Sequence, residues 1–225
     1  MIELTSAGVD FGGRQILSNL SIDIQPGSFH FLTGPSGAGK SSFLKLCSGA
    51  LMPSAGLVQV FGRDTRGLER DEIAAMRRRI GFVQQESDFL DHLTITENVL
   101  LPVRLSKRSN AAGLEDAKDL MNWVGLSEVA DAYPYEVSGG EKARAALARA
   151  VITDPEIILA DEPTGKVDWD MSQKLIQLMV QLNKMGKTFV IATHDIAMIR
   201  SVKPLTRTRV LRIKDKTLEI AGADL

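Results

Sequence analysis

The run Gly34-Pro35-Ser36-Gly37-Ala38-Gly39-Lys40-Ser41-Ser42 sets a glycine, four variable residues and then Gly-Lys-Ser in a single stretch. That spacing suits a phosphate cradle: backbone N–H groups surround the anion, a lysine reaches the outer phosphates, and a serine hydroxyl ligates Mg²⁺. The flanks agree with this chemistry. Ser28–Thr33 is an apolar, strand-like run, and Phe43–Cys47 continues as a helix, so a helix N-terminus faces the loop. The pattern predicts a site for a nucleoside triphosphate.

A second group of residues supplies the other half of phosphoryl chemistry. Ile157–Ala160 reads as a strand buried on both faces, and Asp161-Glu162 closes it. An α/β sheet presents its ligand groups at the C-terminal ends of its strands. A carboxylate at Asp161 can hold Mg²⁺ opposite Ser41. Glu162, expected to point to the other side of the strand end, would face an attacking water. Gln85 and His194 end two further strands. Each alone usually reads as an ordinary satisfied polar residue, and their significance comes from the set.

The elements that must position these groups alternate along the chain. Ile2–Val9 and Leu20–Ile24 alternate apolar and polar residues, as half-exposed strands do. Phe11-Gly12-Gly13 lies between them, with Phe11 either a turn anchor or a platform for a purine ring. Leu57–Phe61, Ile80–Val83, Thr188–Ala192, Arg207–Ile213 and Thr217–Ile220 are further strands, and Glu69–Arg79, Lys142–Ile152 and Ser172–Lys184 are helices. Between about 86 and 137 apolar positions recur at helical spacing, with Gly125 as a C-cap and 107–113 as an exposed loop. Apolar strands alternating with helices predict an α/β fold whose core sheet is parallel, flanked by antiparallel β structure and a helical subdomain.

Composition narrows the class. The 225 residues are 44% hydrophobic with net charge −1, which excludes a global field drawing the chain to nucleic acid or anionic lipid. The single cysteine, Cys47, cannot form an internal disulfide, as expected in a reducing compartment. No apolar run is long enough to span a bilayer, and the N-terminus lacks the pattern of a signal peptide. The reading is of a cytosolic protein that meets a membrane only through a partner.

Taken together, the loop at 34–42, Gln85, Ser138-Gly139-Gly140-Glu141, Ile157–Glu162, Asp168 and His194 occur in the order found in ATP-binding-cassette ATPases, which the whole chain resembles. The resemblance implies a single P-loop NTPase domain, with 1–85 and 151–225 as its core and about 86–150 as the helical signature subdomain. Phe11 would stack on adenine, although Asp10 competes for that place by one residue. Gln85 would touch Mg²⁺ and the attacking water, Glu162 would be the general base, and His194 would contact the γ-phosphate. Ser138, Gly139, Gly140 and Glu141 look like the signature motif, with Val137 for the usual leucine and Glu141 for the commoner glutamine. Arg144 keeps a basic residue usual in that helix, and Asp168 would be the D-loop aspartate. Lys166 departs from the usual asparagine, and either alters communication between sites or points outward. ATP and Mg²⁺ are the implied ligands, bound between two copies of the chain, with Ser138 and Gly140 acting in trans.

Within the family, Gly12–Gln15, Phe31–Ser42 and Ala192–Asp195 most resemble the FtsE group of bacterial cell-division ATPases. That resemblance implies an FtsX-like integral membrane subunit, periplasmic cell-wall hydrolases reached through it, and a place on the cytoplasmic face of the inner membrane. ATPase subunits of transport, lipoprotein-release or efflux systems share Ala160–Gly165. A soluble cassette acting on nucleic acid or ribosomes needs a coiled coil or a tandem cassette, and the chain is too short for either. Phe89 and Leu90 would either line the docking site for the membrane subunit or belong to the core of the helical subdomain.

Overall fold

The computed structural model of the chain describes residues 1–84, 88–105, 110–165 and 167–221, with side chains described for all of these except 110–114. Gln85 and Lys166, singled out above, lie outside the described residues, as do Glu86 and Ser87.

Two sheets enclose the first helix. The smaller is antiparallel, built from β1 (Ile2–Phe11), β2 (Arg14–Ile24), β4 (Ala55–Val60) and β5 (Arg63–Asp64) in the order β2-β1-β4-β5. The larger contains β3 (Phe29–Thr33), β6 (Ile80–Val83), β7 (Ile157–Asp161), β8 (Thr188–Ala192), β9 (Thr208–Lys214) and β10 (Thr217–Ile220), in the order β10-β9-β3-β8-β7-β6. Its pairings are parallel except β9 with β10. Both classes of sheet match the sequence expectation. The helices are α1 (Lys40–Cys47), α2 (Arg70–Arg77), α3 (Ile95–Leu105), α4 (Asn110–Trp123), α5 (Gly139–Val151), α6 (Trp169–Lys184) and α7 (Ile196–Val202). Among the described residues, no helix is long and apolar enough to cross a membrane.

Side-chain alternation divides the central strands between two cores. Ile157 and Leu159 of β7 pack with Phe43, Leu44 and Leu46 of α1 and with Leu4 and Val58 of the small sheet. Ile158 and Ala160, one residue out of phase, pack on the opposite face with Leu175, Ile176 and Met179 of α6 and Leu147 of α5. A strand that feeds two cores must be apolar throughout, which is why β7 and β8 read as unbroken hydrophobic runs. A third cluster, including Ile95, Val99, Met121, Val124, Ala145 and Ala148, joins α3, α4 and α5. In it α5 contributes the small face of an alanine-rich helix, so the neighbouring helices approach closely.

Local departures from the sequence reading have identifiable causes. β2 begins at Arg14 rather than near Leu20, because Asn19 is left-handed at φ 50° and the pairing with β1 shifts register repeatedly. Such bulges break the period-two pattern by which strands are recognised. α4 begins at Asn110, inside the stretch expected to be a loop, where Ala111 and Ala112 favour the helix that Gly113 opposes. α7 was not anticipated. Its seven residues give little periodicity, and it is held by the Asp195 carboxylate accepting from Met198 N at 3.0 Å and by burial of Met198, Ile199 and Val202.

One backbone contact seats the helical layer on the sheet. At Gly81 in β6, an added Cβ would stand 2.3 Å from the carbonyl oxygen of Ala150 in α5. Only the lack of a side chain lets the helix backbone lie against that strand. Gly81→Ala is therefore expected to destabilise the fold by about 1–3 kcal/mol through overpacking, read as a lower denaturation midpoint in urea. An unchanged midpoint would show that the helix moves away freely.

Candidate active site

Parallel pairing in register brings three loops to one edge. Leu32 of β3 faces Ala192 of β8, and Ala192 faces Asp161 of β7. The chain therefore leaves the sheet side by side at Gly34, Glu162 and Thr193-His194. A cleft of about 570 Å³ opens there, lined by the 34–42 loop together with Ile16, Asp161, Glu162 and His194.

The loop wraps onto α1 through Gly39, which is left-handed at φ 102°. A Cβ at that position would lie 2.8 Å from Leu17 Cδ2, so glycine is required both for the turn and for contact with β2. Because Gly39 occupies the cap position, α1 has no side-chain cap, and its first turn carries no acidic residue. By contrast Ser138, Asp168 and Asp195 each accept a backbone N–H at the start of α5, α6 and α7. The uncapped first turn of α1 leaves N–H donors and a positive helix end facing the cleft, as an anion site requires.

Lys40 reaches back over this loop. Its Nζ donates to Gly34 O at 3.0 Å and Pro35 O at 3.3 Å, and lies 3.9 Å from Glu162 Oε1. Glu162 is buried and left-handed at φ 46°, and its N–H donates to Ala192 O at 2.8 Å. Its Oε1 also lies 2.8 Å from Nδ1 of His194, whose side chain is otherwise exposed. The sequence reading placed Asp161 and Glu162 on opposite sides of the strand end. Both residues line the same cleft, and the left-handed backbone at Glu162 interrupts the strand alternation on which that placement rests.

The other predicted residues are placed elsewhere. Ser138, Gly139, Gly140, Glu141 and Asp168 do not line this cleft. Ser138 caps α5 in a reciprocal box: its Oγ donates to Glu141 Oε2 at 2.7 Å, and Glu141 N donates to Ser138 Oγ at 3.3 Å. The Ser138 hydroxyl and N–H hold the Glu141 carboxyl below the usual carboxylate range. The Ser-x-x-Glu spacing is a capping box that was legible in the sequence, and it accounts for the glutamate at 141. Asp168 Oδ1 accepts from Met171 N at 2.8 Å as the cap of α6.

At the β1–β2 hairpin, Asp10 Oδ1 accepts from Gly13 N at 2.8 Å, while the Phe11 ring is 54% exposed. The carboxylate is thus committed to the turn, and the ring is free. Arg144 donates to Val124 O and Gly125 O at 2.9 and 2.7 Å, closing the end of α4. Cys47 is fully buried, and burial pushes its thiol far up, so it is an inert packing residue. Phe89 is half-buried and packs against both the second and third cores, whereas Leu90 is exposed. Ile16, which the sequence reading passed over, lines the cleft because β2 starts earlier than its alternation indicates.

A second, slightly larger cleft of about 610 Å³ lies at the other ends of β3 and β9, lined by His30, Lys203, Arg207 and Arg209 among others. Burial and the nearby Arg209 lower the His30 pKa to about 4, so that ring is neutral near pH 7. None of the chemistry-bearing residues above reaches it. Donor set, rather than size, identifies the active site.

Comparison with known proteins agrees with this geometry. The profile of the family described as ABC transporter matches residues 17–165. The cell division ATP-binding protein FtsE of Escherichia coli K12 is 40% identical over 197 residues, covering 87% of this chain and 89% of that protein. The lipoprotein-releasing system ATP-binding protein LolD of Bacteroides fragilis is 37% identical over 202 residues, covering 89% and 94%. Among solved structures, a dimeric ATP-binding cassette in a post-hydrolysis state, bound to ADP and Pi, superposes with a TM-score of 0.86 at 33% identity. That match covers 99% of this chain and 100% of the other. A phosphate loop, an acidic strand end and a histidine meeting at one edge of such a fold make this chain a member of the ABC transporter family, an ATP-binding-cassette ATPase.

Proposed function

We propose that the chain is the ATP-hydrolysing subunit of a membrane-associated complex of FtsE type. In this reading it dimerises on ATP and passes motion through an FtsX-like membrane subunit to periplasmic cell-wall hydrolases. The observation that carries the enzymatic part is the meeting of Lys40, Asp161, Glu162 and His194 at the uncapped end of α1. The cell-division part rests on the likeness to FtsE. The comparable likeness to LolD supports a second reading, a lipoprotein-release or other transport ATPase. Either reading places the chain on the cytoplasmic face of the inner membrane, attached through its partner, with residues 1–85 and 151–225 as the core and about 86–150 as the signature subdomain.

The residues divide the work as follows. N–H groups of the 34–42 loop and of the first turn of α1 hold the phosphates, and Lys40 exchanges its loop carbonyls for phosphate oxygens. Ser41 and Asp161 present hard oxygen donors to the same cleft, which fits Mg²⁺. With Gln85, outside the described residues, these two would hold Mg²⁺, which when bound neutralises charge on the outer phosphates. Glu162 takes the proton of the attacking water. His194, oriented by its contact with Glu162, offers its other ring nitrogen to the γ-phosphate. Phe11 stacks on adenine. The signature residues Ser138, Gly139 and Gly140, away from their own cleft, complete the site of a second copy, and Asp168 lies near that seam.

Glu162→Gln should retain ATP affinity while kcat falls by roughly 10²–10⁴, because an amide cannot take the proton. On size exclusion with ATP it should run as a dimer, and adding Ser138→Arg should return it to a monomer. Wild-type turnover in the first variant, or surviving dimers in the second, would refute the respective assignment. Phe11→Ala should weaken ATP binding by about 1–2 kcal/mol in titration calorimetry, the scale of one base on an aromatic ring. If Asp10→Ala produces that loss and Phe11→Ala does not, the stacking position is wrong by one residue. Capture of the chain from native membranes separates the two physiological readings. An FtsX-like subunit with a periplasmic loop is expected, and a lipoprotein-release or solute-permease subunit would replace the cell-division reading.

A further inference from the structure

Arg149 has no role in the scheme above, yet its setting is unusual. It lies in the last turn of α5, partly buried, and burial lowers its pKa. No carboxylate forms an ion pair with it among the described residues. Instead its Nη1 donates to the carbonyl oxygen of Asp88 at 2.8 Å, and its guanidinium carbon stands 4.6 Å above the centre of the Phe89 ring. Partial burial of a cation is costly even with the Asp88 charge nearby, so filling space is a poor reason for arginine here. What the planar fork supplies is direction: one hydrogen bond and one stacked face fix both position and angle of the segment it grips.

That segment is anchored on its other side as well. Asn98 of α3 is fully buried; its Nδ2 donates to Leu90 O, Leu93 O and Thr94 O, and its Oδ1 accepts from Leu90 N. Phe89 itself packs into both the sheet-side core and the helical core. Residues 88–90 therefore form a joint between the two layers. Arg149 is its attachment to α5, the helix that begins at Ser138. Eleven residues of rigid helix, about 16 Å, separate the Ser138 end from the Arg149 end. The Arg149 end is also where Ala150 sits against Gly81 of β6, and Val83 of β6 pairs with Ala160, next to Asp161.

We propose that Arg149 is a positioning residue that couples the signature end of α5 to the catalytic edge of the sheet by clamping Asp88 and Phe89. Movement of Ser138 against a second copy then reaches the 88–90 joint as a rigid tilt of α5. It does not dissipate in the loop. This rests on the ATPase reading, and it assigns Phe89 to the joint; of the two residues considered for partner docking, Leu90 remains exposed.

The test compares Arg149→Met, Arg149→Lys and Phe89→Leu with wild type in the full chain, measuring ATP turnover, KM, nucleotide affinity and melting temperature. Arg149→Met should lower kcat about tenfold or more while KM, affinity and melting change by less than about twofold or a few degrees, the split expected when an interaction acts on turnover alone. Arg149→Lys should recover part of that loss, since it restores the charge and a donor but not the planar face. Wild-type kcat in Arg149→Met would overturn the proposal, and so would a fall in kcat matched by equal losses of melting temperature and nucleotide affinity. Should Arg149→Met fail to fold, Phe89→Leu decides by the same criteria. An inactive wild type would instead count against the ATPase reading.

Discussion

Insertion of β8 between β3 and β7 is the constraint on which this structure depends. The phosphate loop and the acidic pair are far apart in sequence and do not sit on neighbouring strands. They share a cleft only because each pairs in parallel register with the same central strand. Ladder hydrogen bonds fix that register, since a slip of one residue would send Ile157 and Leu159 to the wrong core. The two cores and the active site are thus set by one decision about pairing. The apolar character of β8, buried at every position, is the sequence's contribution to it.

Electrostatics in the cleft follow from what the fold leaves unsatisfied. The first turn of α1 has no side-chain partner for its amides, and Lys40 is held over loop carbonyls with the Glu162 carboxylate at the edge of ion-pair distance. These groups are arranged before any anion arrives, so little reorganisation is needed on binding. The left-handed backbone at Glu162 belongs to the same arrangement. A non-glycine residue held at positive φ is strained, and here the surrounding hydrogen bonds to Ala192 and His194 hold it.

Helix α5 belongs to two environments at once. Its N-terminus is closed by the Ser138–Glu141 box, its middle joins the helical core through Ala145 and Ala148, and its last turn rests on β6. Small residues along its length permit both contacts. A longer side chain on either face would hold the helix away from the sheet or from α3, and would separate the signature residues from the layer that carries the carboxylates.

Much of this was legible in the residues themselves. The phosphate loop, the Asp161-Glu162 strand end and the Ser138 motif are short, local patterns whose chemistry depends on neighbours in sequence, and periodicity located β6, β7, β8 and β10 closely. Local geometry that breaks a period was not legible. The bulges at Ser6 and Asn19 hid the start of β2 and with it Ile16, and the left-handed backbone at Glu162 has no signature in the sequence. Tertiary structure alone decided that Asp10 serves the hairpin while Phe11 stays exposed, and that Phe89 lies under Arg149 between two cores. The physical reason is the same in each case. Residue type determines what a group can do and what its neighbours in sequence favour, whereas which partner it meets across the sheet or between layers is set by register and packing, and these depend on the whole chain at once.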